Sequence, residues 1–462
     1  MHRMGNWRSL ASALGRLLTQ KVRRLLTITT MTAYGLVGFA QPASAAIIPT
    51  DKPLDIANAM AVPGIVTGAS FLNLPPTPPA PNPPSATADS PLAGFPRNGG
   101  NYAILTTGDP NFVDDANTAE NTGRDLNSGA LTDGPNVRGD TDFDVTVLKV
   151  DMNVGADQNC LQFDFKFFSE EFPEFVGTPF NDAFIAEIDV STWDTVGSDI
   201  TAPDNIAPDP FGDVVSINAS GPTSVSPAEA AGTTYDSGTI VLGARSPVTP
   251  GPHSLYLSIF DQGDQIYDSA VFLDNLRLTT EQPGECDPGA VFICTQTGTA
   301  GNDKLTGTPA NDVLCGLGGN DTLIGQDGND VLVGGTGNDF LVPGKGNDLA
   351  LGEVGSKDTV SFDGSPGPVI ANLGKGTVQG KQGFDQLVGV ENARGTTKSD
   401  TLKGSGAKNE LKGLKGRDKL SGQKKSDRLI GGAGNDRLDG GPGDDFCLQG
   451  PGGGAVLNCE RP

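Results

Sequence analysis

The chain has 462 residues, with 56 Asp/Glu against 32 Lys/Arg, 64 Gly and 34 Pro. That length has room for two to four domains, and so much Gly and Pro points to strands and loops rather than long helices. The net charge of −24 argues against general nucleic-acid binding and fits a solvated protein that collects cations.

Residues 1–45 read as a signal peptide: basic residues at Arg3, Arg8, Arg16, Lys21, Arg23 and Arg24, an apolar run from Leu25 to Ala40, then Ala43-Ser44-Ala45 as a cleavage site. Arg23-Arg24 matches the twin-arginine pattern only loosely, so Sec-type export fits better. The competing reading, an N-terminal membrane anchor, is weakened by the shortness of the apolar run and its threonines. No other stretch is long and apolar enough to span a bilayer, so no membrane insertion is expected once the signal is removed. Loss of this segment would take the net charge to about −30.

Residues 46–282 are expected to form one antiparallel β-sandwich. It opens on a mildly helical stretch from Asp51 to Phe71, with Leu54, Ile56, Met60 and Ile65 as candidate buried positions. The proline-dense segment 74–91 follows as an extended linker or insertion. Short apolar runs then recur at 102–105, 143–150, 161–168, 183–188, 214–217, 239–242, 254–260 and 270–278, separated by Gly, Pro, Asn and Asp clusters. Within them, Phe163-Asp164-Phe165-Lys166-Phe167-Phe168-Ser169-Glu170-Glu171-Phe172-Pro173-Glu174-Phe175-Val176-Gly177 and Phe180-Asn181-Asp182-Ala183-Phe184 carry a more specific signal. With Leu105-Thr106-Thr107-Gly108-Asp109, Asp142-Phe143-Asp144 and Asp268-Ser269-Ala270-Val271-Phe272-Leu273-Asp274, this resembles the choice-of-anchor L domain over roughly residues 51–280. The resemblance implies an exported or surface-displayed sandwich with no defined chemistry.

The carboxylates Glu170, Glu171, Glu174, Asp182, Asp261, Asp264 and Asp268 admit three readings: solvated loop charge, a structural cation site, or the acid and base of a glycosidase. The only histidine beyond the signal is His253, beside Pro252. Ser/His/Asp or Cys/His catalysis would rest on it alone, and H-E-x-x-H, P-loop and G-x-S-x-G signatures are missing. No catalytic residue is assigned.

Six cysteines in an exported chain read as three disulfides. Cys294 with Cys315 and Cys447 with Cys459 bracket the two ends of a repeat array, leaving Cys160 with Cys286. A local Cys286–Cys294 loop is the rival, and the sequence does not settle the pairing.

That array begins at residue 298. An Asp recurs every nine residues at 303, 312, 321, 330, 339 and 348, each preceded by Asn. The clearest unit is Gly334-Gly335-Thr336-Gly337-Asn338-Asp339-Phe340-Leu341-Val342, which reads G-G-x-G-x-D-x-U-x with U a large apolar residue. It resembles the haemolysin-type calcium-binding (RTX) family, whose nonapeptide has this form. Glycines permit tight loops, and the x-U-x tail suits a very short strand. Two units make an eighteen-residue coil of a right-handed parallel β-roll. Leu305, Leu314, Leu323, Leu332, Leu341 and Ala350 are expected inside, with Asp columns along two edges. Carboxylates stacked ~4.8 Å apart repel unless a cation sits between coils, and Ca2+ accepts both carboxylates and backbone carbonyls. Several Ca2+ ions are expected, on Gly301, Asp303, Asn311, Asp312, Gly319, Asp321, Gly328, Asp330, Gly337, Asp339, Gly346 and Asp348 of block 283–351.

Residues 352–394 break the period and read as a strand-rich interruption with no ligand logic. Block 395–462 regains it at Asp400, Asn409, Asp418, Asp427, Asp436 and Asp445, with Leu402, Leu411, Leu420, Leu429 and Leu438 inward. Lys398, Ala407 and Lys425 replace the fourth-position Gly, and residues 395–430 hold ten Lys/Arg against four Asp/Glu. Calcium sites are expected to weaken there, except at Gly434, Asp436, Gly443 and Asp445. The chain thus reads as a secreted or cell-surface calcium-binding protein whose roll folds on Ca2+. Its sandwich would bind cell-surface or matrix polysaccharide or protein. The alternative is an extracellular hydrolase acting on glycans or esters through the acidic region 170–182.

Overall fold

The computed structural model describes residues 46–75, 82–114, 142–171, 176, 178, 180–196, 199–209, 212–218, 227–230, 232–262, 267–282, 286, 289–355 and 357–460. The signal segment, Glu174 and Asp264 lie outside these residues. The fold is all-β.

The N-terminal half is a sandwich of two antiparallel sheets. One runs in the order Ile47–Pro49, Ser85–Ala88, Tyr102–Thr106, Ser269–Thr279, Cys160–Ser169, Leu242–Pro247, Gly289–Phe292. The other runs Val215–Ser216, Ala183–Ile188, Gly251–Gln262, Asp142–Val154, Val66–Asn73. Phe163, Phe165 and Phe167 alternate into the space between the sheets, where they meet Leu148, Val150, Leu255, Leu257 and Ile259. Strand Cys160–Ser169 is nonetheless buried at every position. Its other face is covered too, with Phe168 packed among Phe95, Tyr102, Tyr235 and Phe272.

The expected helix is short, Pro53–Met60, with Pro at its start, where no intrahelical N–H is needed. Ile56, Ala57 and Met60 are buried on the face it turns inward, whereas Leu54 is exposed, correcting its expected burial. The stretch from Val66 is a strand, as its β-branched and aromatic residues favour.

The C-terminal half is a solenoid of strands, many of three residues, pairing in parallel at an eighteen-residue offset: Leu305 with Leu323, Leu314 with Leu332, Leu402 with Leu420. The leucines stack as one apolar column through both blocks and the stretch between them. That stretch is solved differently on the two sides of the coil. On one side, Thr359–Ser361 pairs in parallel with Phe340–Lys345 before it and Asn392–Arg394 after it. On the other, a meander of Val369–Asn372, Thr377–Gly380 and Phe384–Val388 is spliced into the sheet between Leu349–Leu351 and Thr401–Lys403. Its end strands keep the parallel direction of their outer neighbours, so the stack continues although the sequence period does not.

The roll packs on the sandwich through Val313, Val331, Val333, Leu349 and Leu351, which meet Ile240, Phe292 and Cys294. Three disulfides form, Cys160–Cys286, Cys294–Cys315 and Cys447–Cys459. The local Cys286–Cys294 alternative is therefore not the one adopted. Cys447 itself closes the leucine column.

Candidate metal centre

The roll strands are entered through glycine-rich loops that end on the repeat Asp, and that Asp turns back into the loop. Its Oδ1 accepts the backbone N–H of the residue one coil earlier: Asp303 N–H donates to Asp321 Oδ1 (2.7 Å), Asp312 to Asp330 (2.8 Å) and Asp321 to Asp339 (2.8 Å). The asparagines before each Asp run the opposite way. Asn302 Oδ1 accepts from Asn320 N–H at 2.7 Å, Asn320 from Asn338 at 2.8 Å and Asn311 from Asn329 at 2.8 Å. These two ladders use both neighbours of the strand to fix the coil spacing, which explains why Asn accompanies every Asp of the first block.

The second carboxylate oxygen divides the repeats into two groups. In Asp321, Asp330, Asp339, Asp348, Asp418, Asp427, Asp436 and Asp445 it is buried and receives no hydrogen bond. Except in Asp348, whose unit begins at Pro343, it lies over the first glycine of its own unit. A methyl added at Gly316 would stand 2.3 Å from Asp321 Oδ2 and 2.5 Å from the Gly334 carbonyl oxygen of the next coil, and one at Gly413 would stand 2.4 Å from Asp418 Oδ2 and 2.5 Å from Gly431 O. Carboxylate and carbonyl oxygens thus share one recess between successive coils, the donor set a hard cation takes. Among the described residues no three His, Cys, Asp or Glu side chains converge on a point. In this design each coil contributes carboxylates singly and the backbone supplies the rest, so the donors fit Ca2+.

Asp303, Asp312 and Asp400 differ. Thr299 holds the second position of its unit, where the uncapped units carry Leu, Gln or Gly, and its N–H and Oγ1 donate to Asp303 Oδ2 at 2.6 and 2.7 Å. Thr308 does the same for Asp312 (2.6 and 2.8 Å), and Thr396 for Asp400. Asn311, another expected ligand, is committed elsewhere: besides the ladder, its Nδ2 donates to Glu229 Oε1 of the sandwich at 2.7 Å. The signal for the capping was in the sequence, as Thr or Ser at the second position of the unit.

The interruption does carry ligand logic, contrary to the sequence expectation. Asp358 and Asp385 continue the two columns: Asp339 N–H donates to Asp358 Oδ1 (2.7 Å) and Asp348 N–H to Asp385 Oδ1 (3.3 Å), and both second oxygens are buried without a hydrogen bond. The spacings of 19 and 37 residues hid them, although Gly380-Lys381-Gln382-Gly383-Phe384-Asp385 keeps the G-x-x-G-x-D form.

In the second block the cradle is preserved. Lys398 and Lys425 are exposed, while their carbonyl oxygens approach Gly416 and Gly443 as glycine carbonyls do elsewhere. What remains of the expected weakening is their charge, screened by solvent. Asn409 has no acid to offer, and its Nδ2 donates to the Glu391 carbonyl.

Burial raises several of these carboxyls. Asp330 and Asp418 are pushed up to about 7, Asp348 and Asp427 to about 6, and Asp385, beside Asp348, to about 8. Folded values above the unfolded ones mean that stability is present in acid and is lost as pH rises through 6 to 8. Calcium-stripped protein is therefore expected to melt at a higher temperature at pH 5 than at pH 8. With Ca2+ the gap should close, because the ion replaces the protons. Equal melting temperatures at the two pH values in the stripped protein would contradict this.

In the sandwich, Glu170, Glu171, Asp182, Asp261 and Asp268 are buried rather than solvated. His253 lies between Asp189 Oδ2 (2.7 Å from Nδ1) and the Thr249 carbonyl (2.7 Å from Nε2), while Ser254 Oγ donates to Asp151. Both ring nitrogens are thus engaged in a turn, and neither addresses that serine.

Residues 94–278 match the family model of the Choice-of-anchor L domain, a shorter span than the 51–280 of the resemblance, beginning after the helix and the proline-dense segment. Residues 297–323, 316–350, 388–420 and 412–447 match that of the RTX calcium-binding nonapeptide repeat. No significant match exists among curated proteins. Among solved structures, the Agl-KA catalytic domain aligns over 81% of this chain and 75% of its own at 8% identity, with a TM-score of 0.17, a likeness too slight to bear on fold or function.

Proposed function

We propose that this chain, which joins a Choice-of-anchor L domain to RTX calcium-binding repeats, works outside the cell as a calcium-binding protein whose roll folds as it takes up several Ca2+ ions. The observation that carries this reading is the set of buried aspartates whose second oxygen faces a carbonyl-lined recess with no hydrogen bond. A column of such carboxylates is costly to bury unneutralised, so cation binding becomes folding free energy. A signal-like leader and three disulfides support an oxidising, extracellular setting. The sandwich then serves adhesion, holding a cell-surface or matrix polysaccharide or protein, and calcium sets whether the attached roll is rigid. No catalytic step is part of the proposal: in the acidic region 170–182, on which a hydrolase would rest, Glu170, Glu171 and Asp182 are buried, and Glu174 lies outside the described residues.

Amide hydrogen exchange on the full-length protein tests it. With Ca2+, amides from 298 to 457 should be protected, and in chelator that protection should fall by several orders of magnitude while the strands 142–169 and 251–279 keep theirs. Roll amides equally protected in chelator would overturn calcium-driven folding.

A further inference from the structure

One strand side of the roll is covered by the sandwich only over its first coils, where Val313, Val331, Val333, Leu349 and Leu351 are packed. From strand Phe384–Val388 onward the outward residues of the same sheet reach solvent. Strand pairing lines them up in one row, Phe384, Gln379, Ile370, Thr401, Lys419 and Arg437, each beside the next. Five strand spacings make that row about 24 Å long. Gln386 and Lys403 belong to the row beside it.

Two properties set this face apart. In a chain of net charge −24 it is free of exposed acid. Residues 364–438 hold 14 Lys/Arg against 7 Asp/Glu, and five of those seven are the buried aspartates 385, 400, 418, 427 and 436. The other two are engaged elsewhere: Glu391 accepts from Asp358 N–H (3.0 Å), and Glu410 pairs with Lys412 and Arg428 on the opposite side of the coil. Lys403, Lys419 and Arg437, by contrast, make no ion pair among the described residues, and Lys419 and Arg437 are register partners. Like charges directly opposite in a sheet repel unless an anion lies across them. The second property is apolar. Ile370 is 59% exposed and Phe384 45%, while Ala371, Val378 and Leu402 fill the column inside. Exposed apolar side chains rimmed by polar ones mark a contact surface.

We propose that this face binds an anionic polysaccharide laid across the strands. Lys403, Lys419 and Arg437 take its acidic groups, Gln379, Gln386 and Thr401 its hydroxyls, and Phe384 and Ile370 meet the C–H faces of its rings. Amide, hydroxyl and apolar side chains alternating along a straight row suit a hydroxyl-rich chain better than a lipid surface, which has no use for the amides. Calcium strengthens the contact, because ions offset the aspartate charge lying under the row and leave the surface cations to set its field. That dependence rests on the reading of the roll proposed above.

Dextran sulfate, with uncharged dextran as control, tests the face on the full-length protein in calcium buffer at physiological ionic strength. Native protein should bind the sulfated chain and not the neutral one, and Lys419→Gln with Arg437→Gln should weaken binding about tenfold or more. Lys412→Gln with Arg428→Gln removes the same charge from the opposite side of the coil and should cost less than about threefold. Equal losses from the two pairs would reduce the attraction to diffuse charge and overturn the site. Phe384→Ser should weaken dextran sulfate and leave inorganic polyphosphate, a polyanion without rings, unaffected; unchanged dextran sulfate binding overturns the sugar assignment. Capture of phosphatidylglycerol vesicles with no binding of dextran sulfate assigns the face to membranes and overturns it too. The altered side chains all reach solvent, and matched melting temperatures verify folding. Amide exchange on the same samples judges the roll separately, so absent binding with protected repeats counts against the face alone.

Discussion

Replacing Asp339 by Asn should weaken calcium binding at the coils it joins on the order of a hundredfold, because ligand charge sets affinity over decades in oxygen-donor sites. The same change at Asp303 should cost less than about threefold. The two residues hold the same place in the repeat, and a ligand count from sequence treats them alike. Their surroundings differ. Asp339 Oδ2 is buried with no hydrogen bond, whereas Asp303 Oδ2 already accepts two from Thr299. An Asn oxygen at 303 can go on accepting them. Calorimetric titration of the two full-length variants reads the difference, and equal losses would show that the threonine cap does not decide which aspartates hold calcium.

Gly337→Ala should be the most damaging single substitution in the first block, costing about 3 kcal/mol or more through strain and overlap together. Gly337 has φ +140°, and an added methyl would come 1.6 Å from the Gly319 carbonyl oxygen of the preceding coil. That oxygen is backbone, so relief requires the coils to part, and both ladders that fix their spacing open with them. Gly406→Ala, by contrast, meets nothing within 4 Å and keeps an ordinary φ, so it should change stability by under about 0.5 kcal/mol. Chemical denaturation in calcium buffer compares them. A mild effect at Gly337 would mean that neighbouring coils are not held at the spacing described.

Much of the roll was legible because one chemical rule repeats. The nine-residue period placed Leu323, Leu332 and Leu341 inside and set their aspartates on two edges, and the structure follows it coil by coil. What the period could not carry was hidden wherever it slipped. Asp358 and Asp385 rejoin the columns after insertions of irregular length, a fact of three-dimensional stacking that counting residues misses. The caps at Thr299, Thr308 and Thr396 were visible as residues but not as hydrogen bonds, since a second-position Thr reads equally as loop filler. The sandwich was legible as alternating runs, but the burial of Glu170, Glu171, Asp182, Asp261 and Asp268 was not, since the sequence left three readings of them open. Asp144 and Asp261 are more than a hundred residues apart, and the pairing of strands Asp142–Val154 and Gly251–Gln262, in which Asp261 partners Phe143, brings them to the same irregularity. Leu54 failed for a simpler reason: a helix of eight residues buries one face, and Ile56, Ala57 and Met60 fill it.

The central claim is that calcium organises the roll. Titration of the full-length protein with Ca2+, followed by far-UV circular dichroism and heat of binding with Mg2+ as control, tests it most directly. The account predicts strand signal rising with calcium, several ions bound, and little response to magnesium. A protein that shows its full strand signal in chelator and takes up no calcium would contradict it, leaving the leucine column and the disulfides to hold the roll alone.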